Sequence, residues 1–301
     1  MLIVTTVDEL RRQTGILLRE QGGPVGLVPT MGALHQGHMS LVHRAGEECG
    51  VLVASIFVNP TQFNEQSDLD NYPRTLEADS ALCERNGVDI VFAPSPAEVY
   101  PQGFSTSVHV SGVSERWEGE FRPGHFDGVA TVVAKLFGML MPDRAYFGEK
   151  DFQQLAVIRR MTADLNLPVE IIGCPTVRES EGLALSSRNT LLSEDERRSA
   201  VLISQALQAA LVEGMTGNTD AANILSLSKG IVEQDGKLQI EYLAVVDPQT
   251  LEPRAGELQD RDRIITAVRC GGVRLIDNME LRTLSALQKT PPAGQATGTG
   301  Q

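Results

Sequence analysis

The chain is short of several things, and each shortage removes a class of protein. Its 301 residues include only four cysteines, Cys49, Cys83, Cys174 and Cys270, with no CxxC pair among them. That spacing argues against a disulfide framework and fits reduced thiols in a cytosolic protein. Basic residues are scarce: 26 Lys and Arg against 39 Asp and Glu give a formal charge of −13. A general nucleic-acid binder needs basic surface to neutralise phosphates, so no nucleic-acid partner is expected. No apolar run approaches the roughly 18 residues of a membrane span. The most apolar stretch, Val129 to Met141, contains Lys135 and ends at Pro142. The opening MLIVTTVDELRRQTG brings in Asp8, Glu9, Arg11 and Arg12 too early for a secretory leader. A cytoplasmic protein without membrane attachment is the expectation. GxxxxGK(S/T) and GxSxG are missing as well, so neither a P-loop lysine nor an elbow serine is indicated.

What is present organises into two parts. Continuous apolar runs of strand length (Val25–Pro29, Val51–Val58, Val88–Phe92, Ala145–Phe147, Val169–Ile172) alternate with helical patterns at 39–49, 73–86, 129–141 and 151–165. That alternation predicts an α/β domain with a parallel, Rossmann-like sheet covered on both faces, over residues 1–176. After 176 the order changes. Ser193-Glu-Asp-Glu196 is a capping box before a long helix, a second helix follows near 219–235, and strand-like runs come last. A smaller α+β domain over 177–289 is expected, followed by a disordered glycine-rich tail at 290–301.

The densest chemical signal is Pro29-Thr-Met-Gly-Ala-Leu-His-Gln-Gly-His38, placed between the first long strand and a helix. A glycine beside a helix start lets a ligand approach the backbone, and the orphan N–H groups there favour phosphate. His35 and His38 could then donate to phosphate oxygens. Two other readings stand at this point. The imidazoles could ligate a metal with His43 or Cys49, or the glycines could serve only a tight turn. Asn59 and Gln62 follow the end of a long strand, where open α/β sheets bind ligands. Gly148-Glu-Lys-Asp151 opens a helix after a strand, and Ser186-Ser-Arg-Asn189 pairs hydroxyls with a guanidinium suited to phosphate.

The string PTMGALHQGH closely resembles the signature of the pantoate–β-alanine ligase (pantothenate synthetase) family. That family lies in the nucleotidyltransferase superfamily that shares a HIGH-type motif with class I aminoacyl-tRNA synthetases. Phe57–Phe63, Arg122–Val129, Tyr146–Gln154 and Leu185–Asn189 resemble further family blocks in family order, so the likeness spans about residues 1–285. One departure is Leu185, where many relatives carry methionine; apolar volume is kept.

The resemblance implies ATP-dependent condensation of pantoate with β-alanine through a pantoyl-adenylate, releasing AMP and pyrophosphate. His38, His35, Lys150, Ser186, Ser187 and Arg188 would be catalytic. Met31, Gly37, Gly148, Asp151 and Val177 would join them around ATP. Asn59, Gln62 and Gln154 would hold pantoate. It further implies Mg²⁺ with the nucleotide, no protein-bound metal, a homodimer, and a C-terminal domain acting as a lid. Arg122-Pro-Gly-His125-Phe126 is expected to be packing rather than catalytic machinery. Rival readings are a nucleotidyltransferase with another acceptor, a tRNA-binding synthetase relative, and a regulatory nucleotide-binding module.

Overall fold

A computed structural model describes residues 1–64 and 66–289; the tail expected at 290–301 lies outside them. The chain divides into two compact units, Met1–Leu191 and a second beginning at Leu192. Residues 177–191, which the change of pattern after 176 assigns to the second domain, thus fall within the first unit. A short antiparallel bridge between Arg178 and Ala184, and hydrogen bonds from Asn189 Nδ2 to Glu179 Oε1 and the Ala184 carbonyl, fold that stretch upon itself.

The first unit contains β1 (Leu2–Val4), α1 (Val7–Gln21), β2 (Val25–Thr30), α2 (Gln36–Glu48), β3 (Val51–Ile56), α3 (Gln66–Asn71), α4 (Leu76–Arg85) and β4 (Ile90–Phe92). It continues with α5 (Pro96–Val99), α6 (Glu118–Phe121), α7 (His125–Leu140), β5 (Arg144–Gly148), α8 (Phe152–Asp164) and β6 (Glu170–Cys174). Six parallel strands lie in the order β1-β4-β3-β2-β5-β6. The order reverses between β2 and β5, and the carboxyl ends of strands flanking such a switch point are where open α/β sheets take ligands.

The apolar runs are continuous because both sheet faces are covered. Val28, Leu52, Ala54, Val91 and Tyr146 from the strands pack with Met39, Val42 and Ala45 of α2, all buried; each large aliphatic so placed contributes about 1.5–3 kcal/mol. Helix α7 is buried along most of its length, which is why its sequence is apolar on nearly every side. Helix α4 starts at Leu76 after Thr75 rather than at Pro73. Beyond the alternating pattern lie β1, only three residues long, and α1, whose buried residues are Leu10 and Thr14 alone.

The second unit has α9 (Glu194–Thr216), α10 (Ala221–Val232), β7 (Leu238–Val246), β8 (Arg263–Cys270), β9 (Val273–Glu280) and α11 (Leu284–Lys289), with an antiparallel sheet β7-β8-β9. The helices-then-strands order matches the expected α+β class. Among the described residues, no helix is long and apolar enough to cross a membrane.

The capping box at α9 forms as read: Ser193 Oγ accepts from Glu196 N, and Glu196 Oε2 accepts from Ser193 N at 2.8 Å. Ser193→Ala is expected to destabilise the chain by about 1 kcal/mol, and Ser193→Gly by far less. Urea unfolding measures both; an unchanged midpoint for the alanine variant would contradict the assignment.

Candidate active site

Between β2 and α2 the backbone turns through two left-handed residues, Gly32 (φ +85°) and Ala33 (φ +50°). An L-residue in that region costs roughly 1–2 kcal/mol. The cost is offset from α4, where the Asp79 carboxylate accepts from Ala33 N at 3.0 Å, Leu34 N at 2.8 Å and the Thr75 hydroxyl at 3.0 Å. Asp79 is 3% exposed. A buried carboxylate thus fixes the loop that delivers the histidines.

The two imidazoles cap α2 reciprocally. His35 Nδ1 accepts from Gly37 N at 3.1 Å, and His38 Nδ1 accepts from His35 N at 3.2 Å. The ring centroids are 4.1 Å apart. Gly37 is forced by this packing, since a Cβ there would lie 2.9 Å from the His35 ring.

Burial, with a smaller contribution from nearby Lys150, holds His35 below the ordinary histidine range. Burial and the adjoining His35 push His38 down to about 3. Both rings are therefore neutral at pH 7. With each Nδ1 engaged as an acceptor, the proton sits on Nε2, and each ring keeps an Nε2–H to donate.

At the end of β5, residues Glu149–Asp151 form a 3₁₀ turn leading into α8. Lys150 Nζ lies 3.6 Å from Asp151 Oδ1, with the side chains 18% and 48% exposed. Desolvation acts to raise the Asp151 pKa, but Lys150 and Arg188 outweigh it and hold the carboxyl below its usual range. A Cβ placed on Gly148 would meet nothing within 4 Å.

The segment carrying Ser186, Ser187 and Arg188 is anchored by Leu185 N donating to the Val177 carbonyl at 2.9 Å. Ser186 Oγ accepts from Arg188 N at 3.3 Å. Ser187 hydrogen-bonds the Tyr72 hydroxyl, whose pKa is raised chiefly by burial. The Leu185 Cβ would lie 3.7 Å from a Cβ on Gly37, so this segment reaches the start of α2.

The amides divide by role. Asn59 is 1% exposed and fully engaged within the protein. Its Nδ2 donates to Gln62 Oε1 and the Gly128 carbonyl, both at 3.1 Å; its Oδ1 accepts from Thr61 Oγ1 and the Tyr100 hydroxyl. Gln62 Nε2 points at the Met31 sulfur, 2.9 Å away, which is a weak acceptor. Gln153 is consumed in structure, bonding Glu118 N and the Val113 and Arg116 carbonyls. Gln154, a step of about 100° around α8, is only partly buried.

Every candidate site residue named from the sequence lies within Met1–Leu191. The histidine pair, Gly37, Lys150, Asp151, Ser187 and Arg188 come together; Asn59 faces inward onto Gln62. The metal reading loses two of its ligands: His43 Nε2 bonds Asn86 Oδ1 and Cys49 Sγ bonds the Tyr146 hydroxyl. Among the described residues, no three of His, Cys, Asp and Glu are grouped to hold a metal ion. Sequence reasoning missed Asp79, Tyr72 and Tyr100. For Asp79 a signal existed: it shares the buried face of α4 with Cys83, four residues on.

A parallel sheet whose switch point carries a neutral imidazole pair, a lysine and an arginine defines an α/β enzyme of the nucleotide-binding kind. Residues 2–280 match the Pantoate-beta-alanine ligase family. The pantothenate synthetase of Cereibacter sphaeroides is 53% identical over 277 residues, covering 92% of this chain and 98% of that protein. That of Deinococcus radiodurans is 51% identical over 266 residues, covering 87% and 95%. A crystal structure of the Thermus thermophilus pantothenate synthetase superposes with a TM-score of 0.88 at 49% identity, covering 93% of this chain and 99% of that one. The Francisella tularensis pantoate-beta-alanine ligase, complexed with beta-gamma ATP and beta-alanine, gives 0.76 at 33% identity, covering 93% and 97%. The chain belongs to the pantoate–β-alanine ligase family.

Two predictions follow from this geometry. Asp79→Asn replaces one acceptor oxygen with a donor facing a main-chain N–H, and is expected to cost about 1–3 kcal/mol in urea unfolding; an unchanged stability would deny Asp79 its hold on the loop. The second concerns pH. His35, His38 and His125 have folded-state pKa values below 6.5, those of His38 and His125 falling to about 3 and about 4. Below pH 6.5 the unfolded chain binds more protons at these sites than the folded chain does, so stability falls from pH 6.5 towards 5. His38→Asn should flatten that slope, and a midpoint equally steep in both proteins would refute it.

Proposed function

We propose that this chain joins pantoate to β-alanine by way of a pantoyl-adenylate, consuming ATP and releasing AMP and pyrophosphate. The overall condensation rests on family membership. The adenylate route is supported above all by one observation: two neutral imidazoles presenting Nε2–H groups at the helix start beside the switch point.

A carboxylate and an amine do not condense in neutral water without activation. In the proposed first step a pantoate carboxylate oxygen attacks the α-phosphorus, and the bond to the β-phosphate bridging oxygen breaks. Charge grows on the phosphoryl oxygens, where His35 and His38 would donate hydrogen bonds without needing to ionise. Lys150, Ser186, Ser187 and Arg188 would grip the triphosphate, with Met31, Gly37, Gly148 and Val177 lining the nucleotide. Asp151, an acceptor-only group when ionised, suits the ribose hydroxyls. Gln62 and Gln154 would hold pantoate, Asn59 acting with them through Gln62.

In the second step the neutral β-alanine amine attacks the acyl carbon, AMP leaves with the bonding pair, and the nitrogen gives up one proton while keeping the other in the amide. No protein nucleophile takes part, so positioning and electrostatics carry the rate. Mg²⁺ held by phosphate oxygens and water would neutralise triphosphate charge. A cytoplasmic homodimer is the working state proposed.

AMP production should require ATP, pantoate and β-alanine together, and nicotinate or pantetheine phosphate should not replace pantoate. His38→Ala should lower pantoate-dependent ATP–pyrophosphate exchange about 10²–10³-fold, the effect of deleting one preorganised donor. Exchange near the parental rate would exclude the role given to His38.

A further inference from the structure

The turn that carries Asn59 and Gln62 is seated on the first turn of α7. Two features of the seat are steric and polar contacts of the backbone. A Cβ on Gly128 would come within 2.5 Å of the Thr61 carbonyl oxygen and 2.8 Å of Gln62 N, so the two backbones touch and only glycine fits. The Gly128 carbonyl accepts from Asn59 Nδ2 at 3.1 Å.

The third feature is His125, 7% exposed. Its Nδ1 lies 2.8 Å from the Gln62 carbonyl oxygen, and its Nε2 lies 3.2 Å from Arg122 Nη1. A guanidinium only donates, so Nε2 must be the acceptor and Nδ1 must carry the proton. The ring is thereby fixed as the neutral Nδ1–H tautomer, donating to the Gln62 main chain. Burial, with Arg122 beside it, keeps it neutral, its pKa pushed down to about 4. Arg122 Nη2 reaches the same carbonyl at 3.4 Å. The Gln62 side chain is held through Asn59 and its main chain through His125, both from one helix start.

We propose that His125 is a positioning residue for the pantoate half of the reaction: its Nδ1–H fixes the Gln62 backbone so that the Gln62 amide meets the hydroxy acid. This rests on the reading that Gln62 binds pantoate. His125 touches no substrate in this scheme and acts through Gln62 alone.

Asn and Gln at position 125 separate the idea from simple packing. Both are amides; the Asn nitrogen falls where Nδ1 was, and the Gln nitrogen falls near Nε2. In pantoate-dependent ATP–pyrophosphate exchange, His125→Gln should raise the pantoate KM about tenfold, as loss of one buried hydrogen bond predicts. The ATP KM should stay within about twofold, a margin too small to count as a lost hydrogen bond. His125→Asn should recover most of the loss. In a Gln62→Ala background the His125→Gln change should leave the pantoate KM where Gln62→Ala already set it. Equal effects of Asn and Gln, equal changes in both KM values, or a full additional loss in the Gln62→Ala background would each overturn the role of His125. If Gln62→Ala by itself leaves the pantoate KM unchanged, the reading of Gln62 fails instead.

Discussion

The reciprocal cap between His35 and His38 is the constraint on which the site depends. Each Nδ1 accepts a main-chain N–H of the other's turn, and three properties follow together. Ring orientation is fixed, because an N–H bond defines the plane in which each imidazole lies. The tautomer is fixed, because an accepting Nδ1 leaves the proton on Nε2. The charge state is fixed too, since protonating Nδ1 would break the cap within a partly desolvated site. The same bonds satisfy orphan N–H groups at the start of α2, so the helix and the chemistry are stabilised by one arrangement. Gly37 follows from it, being the one residue type that leaves room for the His35 ring.

That cap is useful only where the sheet delivers it. The strand order reverses between β2 and β5, so the loop after β2 and the turn after β5 emerge side by side. The first brings the imidazoles, the second Lys150 and Asp151. Asp79 holds the left-handed turn after β2, reaching it from α4, which lies in the chain between β3 and β4. The site is therefore assembled from short loops pinned by buried polar groups. A rigid parallel sheet sets the spacing of their anchor points.

How much of this the sequence carries depends on whether a residue's neighbours are local. Strands 25–30 and 51–56 are legible because burial on both faces writes an unbroken apolar run. The histidine pair and Gly148–Asp151 are legible for a related reason, since strand, loop and helix start are contiguous in the chain. Asp79 is not. Beside Glu77 in an acidic first turn it reads as a dipole partner, and only tertiary burial reveals its three hydrogen bonds. Asn59 shows the opposite limit: a polar residue at a strand end invites a ligand, while its four bonds to Gln62, Thr61, Tyr100 and Gly128 are tertiary contacts that the sequence does not record. Gln153 and Gln154 differ only by a rotation about α8, which composition does not record; the family resemblance alone separates them. The boundary at 191 rather than 176 belongs with these, because a hairpin-like fold of residues 177–191 onto themselves has no periodic signature.

The charge balance explains why imidazoles, and not further lysines, occupy the start of α2. Lys150 and Arg188 already bring positive charge to this region, and Asp151 offsets it, its carboxylate held in the ionised form by them. A third cation at the position of His38 would be buried against like charges, and its own pKa would fall until it lost the proton. A neutral Nε2–H avoids that penalty. It donates a directed hydrogen bond whether or not a polyanion is bound, so no ionisation has to accompany binding. The formal charge of −13 is thus a property of the rest of the chain. At the proposed phosphate site, the field comes from two cations and the helix start, and the direction comes from two neutral rings.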